Sequence, residues 1–91
     1  MREQQIQSAI IKEAEKLGAY VVKTIQCSKA GVPDILMCYK GRFIGVEVKK
    51  HGGRASKLQE YHVKKIKEAN GVSGIVYSVD EAMDLLRRGN E

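Results

Sequence analysis

Ile6, Ile10, Ala14 and Leu17 recur at helical spacing near the start of the chain, with Lys12, Glu13, Glu15 and Lys16 on the opposite side. That spacing predicts an amphipathic helix over 2–18, closed by Gly18. Residues 20–25 (Tyr-Val-Val-Lys-Thr-Ile) have strand composition, and 26–31 read as a polar link ending at Gly31. Pro33 holds Val32 extended and suits the first position of an edge strand. Two apolar runs follow, 34–39 and 42–50, separated by Lys40-Gly41, and predict a β-hairpin. Ser56 is a helix cap, with Glu60 one place beyond a strict capping box. The helix it opens runs to about Ala69 and ends at Asn70-Gly71, with Leu58, Tyr61, His62, Lys65, Ile66 and Ala69 as its expected inner stripe. A strand over 72–77 and a last helix from Ser78 or Asp80 to Arg88, with Ala82, Leu85 and Leu86 inward, complete the chain. The order is αβββαβα, an α/β fold with a mixed sheet flanked by helices.

The hairpin carries the chemistry. If Lys40-Gly41 is the turn, Tyr39 pairs with Arg42, and counting outward sets Asp34 opposite Glu47. Any even-length loop with the same centre keeps that pairing. Directly opposed side chains lie roughly 5 Å apart, and like charges there are unfavourable, so two carboxylates call for a counter-charge such as Mg²⁺ or Mn²⁺. Side chains alternate along a strand, which puts Lys49 on the face of Glu47 and turns Ile44, Val46 and Val48 the other way. The Val48 carbonyl is a further candidate ligand oxygen. A metal site with an ammonium beside it suits hydrolysis of a phosphodiester.

Two more residues point at the same place. Glu3 lies two helical turns before Ile10 on one face, where it either reaches the metal through water or simply favours the helix dipole. Gln59 shares a face with Val63 and Ile66, so its amide points at the sheet, towards a phosphate, the attacking water or Lys49, or else is a satisfied core glutamine. Lys50, His51, Arg54 and Lys57 flank the site as candidate DNA contacts, with Gly52-Gly53 letting backbone approach a phosphate. His51 and His62 lack the spacing of a zinc pair.

Ninety-one residues bound the chain to one domain, small enough that oligomerisation adds stability. A net charge of +5 and a pI near 9.3 suit a polyanionic partner. Cys27 and Cys38 form neither a disulfide framework nor a metal spacing, and the expectation is two reduced, partly buried thiols. No apolar run is long enough for a membrane span and no signal-peptide pattern is visible. The expectation is therefore a soluble, cytoplasmic protein. Aromatic residues are too few to suggest a stacking platform for single strands.

Pro33-Asp34, then twelve residues, then Glu47-Val48-Lys49 resembles the PD-(D/E)XK nuclease signature. Glu3, Gly31-Val32-Pro33-Asp34, Val46 through Lys50, Gly52-Gly53, and Ser56 followed by Gln59 narrow the resemblance to the VRR-NUC (virus-type replication-repair nuclease) domain, over nearly the whole chain. The resemblance implies a restriction-endonuclease-like core and a Mg²⁺- or Mn²⁺-dependent active site of Glu3, Asp34, Glu47, Lys49 and Gln59. It also implies a phage or prophage protein acting in a bacterial host, similar to archaeal Holliday-junction resolvases, which act as homodimers on branched DNA. The expected function is thus a homodimeric endonuclease favouring four-way junctions. The rivals are a nickase or flap nuclease, a non-catalytic DNA-binding module, and an accessory subunit docking through its last helix.

Overall fold

The computed structural model describes residues 2–90. Helix α1 (Glu3–Lys16) is followed by strands β1 (Tyr20–Lys23), β2 (Ile35–Tyr39) and β3 (Arg42–Val48). Helix α2 (Lys57–Glu68), strand β4 (Val72–Val76) and helix α3 (Val79–Arg88) complete the order. The sheet runs β1-β2-β3-β4, antiparallel across the first two junctions and parallel across the third, so the αβββαβα mixed sheet is as expected.

The hairpin register follows from its two-residue turn. Lys40 and Gly41 both have positive φ, 51° and 78°, the primed-turn geometry whose twist matches that of paired strands. Tyr39 accordingly pairs with Arg42, and the ladder continues to Ile35 opposite Val46.

Ile44, Val46 and Val48 are buried on one face of β3, in a core with Ile6, Ile10, Ala14, Ile35, Met37, Ala82 and Leu86. Helices α1 and α3 cover this face. Arg42 reaches across to donate to the Leu86 carbonyl at 2.7 Å, which satisfies a carbonyl of the last turn of α3. Helix α2 covers the opposite face over β3 and β4. It approaches closely because position 45 is glycine: a Cβ there would lie 2.8 Å from Ile66 Cδ1 and 3.2 Å from Pro33 Cγ.

The C-terminal segment secures β4 from outside. Asn90 Oδ1 accepts from the Ser73 N–H at 3.0 Å, and Asn90 Nδ2 donates to the Gly71 carbonyl at 2.7 Å.

Several expectations need correction. Leu17 is the C-cap of α1 and is exposed; the turn through Gly18 delivers Ala19 to the core instead. Pro33 does not begin an edge strand: β2 is an inner strand, and Pro33 precedes it by two residues, so the missing N–H costs no ladder bond. In α2 only Val63 is buried, with Gln59, His62 and Ile66 half-covered, while Leu58, Tyr61, Lys65 and Ala69 are exposed. The helix rests on a narrow strip of sheet, and Leu58 turns instead to Gly31 in the β1–β2 loop. In α3 Met83 is buried, whereas Leu85 is only half-covered and rests over Gly74. Cys27 and Cys38 are both exposed rather than partly buried. No described helix is long and apolar enough to cross a membrane.

Candidate active site

The register that pairs Ile35 with Val46 brings Asp34 opposite Glu47, one step beyond the last strand pair. Asp34 Oδ2 accepts a hydrogen bond from the Val48 N–H at 2.9 Å, which draws its carboxylate to the end of β3. Glu47 is only 1 % exposed. Gln59 Nε2 donates to Glu47 Oε2 at 3.0 Å, and Lys49 Nζ lies 3.8 Å from the same oxygen. Glu47 Oε1 is buried without a partner.

The electrostatics follow from that arrangement. Burial is the main cause that raises the Glu47 carboxyl from 4.5 to about 8, with the Asp34 charge and a hydrogen bond to Asp34 next. Lys49 pulls in the other direction, and the Glu3 charge adds a smaller upward push. When both acids are ionised there is no proton for Oε1 to share; a proton on Glu47 makes it a donor to Asp34. With both acids ionised, the close pair would need a proton or a cation between its oxygens to offset the repulsion. Hard carboxylate oxygens, one of them buried and unsatisfied, fit a divalent cation such as Mg²⁺ or Mn²⁺. Among the described residues no three His, Cys, Asp or Glu side chains converge closely enough to hold an ion on their own. A cation here would have only the two acids as side-chain ligands and would need backbone oxygen and water besides.

Glu3, the first residue of α1, is beside this cluster and not within it. Its Oε2 accepts from the Lys50 N–H at 3.3 Å. Gln59 occupies the N3 position of α2, where its Oε1 accepts from the Ser56 N–H at 2.8 Å while Ser56 Oγ accepts from the Gln59 N–H at 3.1 Å. The capping box missing at Glu60 is completed by Gln59. Its amide is thereby held by Ser56 at one end and Glu47 at the other, with no bond to Lys49. Lys50, His51, Arg54 and Lys57 are all exposed and make no ion pair among the described residues. They follow Lys49 through a turn closed by the Gly53 N–H on the Lys50 carbonyl at 2.8 Å.

Sequence reasoning missed Thr24. Its N–H donates to the Asp34 carbonyl at 2.8 Å, and its Oγ1 reaches the carbonyls of Pro33 at 2.8 Å and Asp34 at 3.1 Å. The end of β1 thus clamps the backbone that carries the first acid. Only the pairing of β1 with β2 across an eleven-residue connection (24–34) reveals this, and no local motif marks it. A groove of about 320 Å³ lies beside the site, lined in part by Thr24, Cys27, Lys29 and Asp34. A larger one, about 460 Å³ between β4 and α3, is lined by none of the site's side chains.

No family model and no curated protein matches the sequence. A solved structure described as a VRR_NUC domain does match: it superposes with a TM-score of 0.80 over 94 % of this chain and 95 % of its own, at 23 % identity. At that identity the likeness is one of fold, and the fold of this chain, over nearly its whole length, is that of a VRR_NUC domain.

Proposed function

We propose that the protein is a Mg²⁺- or Mn²⁺-dependent DNA endonuclease that selects branched DNA, four-way junctions above all, and acts as a homodimer. The observation that carries this reading is the buried Glu47 facing Asp34, with one carboxylate oxygen unsatisfied and an ammonium alongside. A fold shared with a VRR_NUC domain supports it.

Asp34 and Glu47 would hold the cation, with the Val48 carbonyl as a further oxygen and Glu3 assisting through water. The cation, when bound, acts as a Lewis acid on the scissile phosphate and makes an attacking water more acidic. Lys49 orients that water and offsets the negative charge that grows on the phosphate. Gln59, anchored in the capping box, keeps Glu47 aimed at the pair. Lys50, His51, Arg54 and Lys57 take the phosphates on either side.

Incubating the protein with labelled four-way junction, flap, single-stranded and blunt duplex DNA, in Mg²⁺, Mn²⁺ or EDTA, tests the reading. Paired symmetric nicks across the junction, absent in EDTA, are expected. Cleavage of flaps alone overturns the junction preference, and binding without metal-dependent cleavage of any substrate overturns the enzyme.

Two further outcomes are expected. Neutralising Lys50, Arg54 or Lys57 weakens DNA binding, and each loss lowers the slope of log affinity against log salt by about 1 in fluorescence-anisotropy titrations. An unchanged slope removes that residue from the phosphate contacts. Thr24→Val, which deletes the hydroxyl at constant shape, weakens Mn²⁺ binding about tenfold in an electron paramagnetic resonance titration, since supporting partners typically matter to that degree. Thr24→Ser restores it.

A further inference from the structure

Three rows of side chains cross the sheet on the face that carries Glu47. Thr24, Asp34 and Glu47 form the first, Val22, Leu36 and Gly45 the second, and Tyr20, Cys38 and Phe43 the third. Helix α2 covers this face only over β3 and β4. The β1–β2 half and the turn end of β3 are open: on β1 Tyr20 is 74 % exposed and Val22 43 %, and on β3 Phe43 is 48 % exposed. Four residues along β3 separate Glu47 from Phe43, about 13 Å at strand rise. Stacked nucleotides advance roughly 3.4 Å each, so about four of them, or fewer in an extended strand, span that distance.

Lys29 decides what the open face suits. The strand register turns Lys23 to the α1/α3 side with Ile35, Lys40 lies over the Tyr39 ring on that same side, and Arg42 is turned to α3. Lys29 makes no ion pair among the described residues. Lys29 lines both the groove beside Asp34 and a second one, about 400 Å³, that reaches Phe43 and His62. Lys65 also lines that second groove but is paired with Glu68 at 3.2 Å. An unpaired cation joining the exposed aromatics to the groove beside Asp34 suits a polyanion with flat apolar faces, which meets both Tyr20 and Phe43 and Lys29.

We infer that the open face running from β1 across β2 to the turn end of β3 is a platform for unpaired nucleotides, with Tyr20 and Phe43 stacking on bases and Lys29 meeting the phosphates between them and the carboxylate pair. The inference rests on the nuclease reading and deepens it: beside the branch point, a few nucleotides of the cut strand leave their duplex partner and lie along this face. Aromatic residues are few in this chain, but two of them share one exposed row.

The test is binding without cleavage. In EDTA, fluorescence anisotropy compares a flap carrying a short single-stranded arm with a blunt duplex, using the parent, Tyr20→Ala, Tyr20→Phe and Tyr20→Ala/Phe43→Ala. Tyr20→Ala weakens flap binding about fivefold or more, leaves blunt duplex binding within about twofold, and Tyr20→Phe keeps parental affinity. In a Cys27→Ser background, a single-stranded oligonucleotide slows alkylation of Cys38, which lies between the two aromatics. Equal losses on both DNAs, no loss on either, or unprotected Cys38 overturns the platform. So does a change of oligomeric state by light scattering in Tyr20→Ala, which assigns the face to a second copy. A parent that cleaves with Mg²⁺ while Tyr20→Ala binds normally sinks the platform and spares the nuclease. Tyr20-dependent binding by a parent that never cleaves does the reverse.

Discussion

Glu47→Gln leaves the protein folded and able to bind DNA but lowers metal-dependent cleavage by about a hundred- to a thousandfold or more. The substitution keeps the shape of the side chain and its contact with Gln59, and removes the charge that makes the pair a cation site. Lys49→Ala lowers cleavage to a similar degree for a different reason, the loss of a donor to the attacking water and the reacting phosphate. Mn²⁺ titration separates the two roles. Glu47→Gln loses Mn²⁺ affinity and Lys49→Ala keeps it, because Lys49 Nζ lies beside the acid and is no ligand. Parental cleavage rates in Glu47→Gln at saturating metal would remove the assignment.

The second large effect is on stability. Without divalent cation, the unfolded chain releases the Glu47 proton near 4.5 while the folded protein holds it to about 8. The folded state thus binds more protons across that window, and stability falls as pH rises through it, by roughly 1.4 kcal/mol per pH unit. The accumulated loss is on the order of a few kcal/mol by pH 8, all of it present below 4.5 as stability. If the pair is the proposed cation site, Mn²⁺ takes the place of the proton and recovers the stability lost at high pH. Thermal melts from pH 5 to 9, in EDTA and in Mn²⁺, show this as a falling melting temperature that metal flattens. Glu47→Gln has no proton to lose and is flat in both. Identical pH slopes for parent and variant would mean that Glu47 is not the strained acid.

How much of this the chain announces depends on how local each cause is. The hairpin was readable because Lys40-Gly41 and the strict alternation on β3 fix one register, and that register alone opposes Asp34 to Glu47. Helix α2 was misread because its composition does not say how narrow a strip it will cover. Gly45 allows Ile66 to close on the sheet, which leaves Leu58 and Tyr61 outside. Thr24 was invisible because its contact depends on how β1 meets β2 across a long connection. Gln59 is legible both as facing the sheet and as a cap, since Ser56 to Gln59 is the spacing of a capping box in which Gln serves as well as Glu; only its second bond, to Glu47, depends on the packed sheet.

Strand β4 is the border of the sheet, and a border strand is an invitation to sideways growth into aggregates. Asn90 answers it from within the same molecule. Its amide stands where the peptide group of a fifth strand would bind, meeting both Ser73 and Gly71. One side chain thus serves as a full stop at this margin of the sheet.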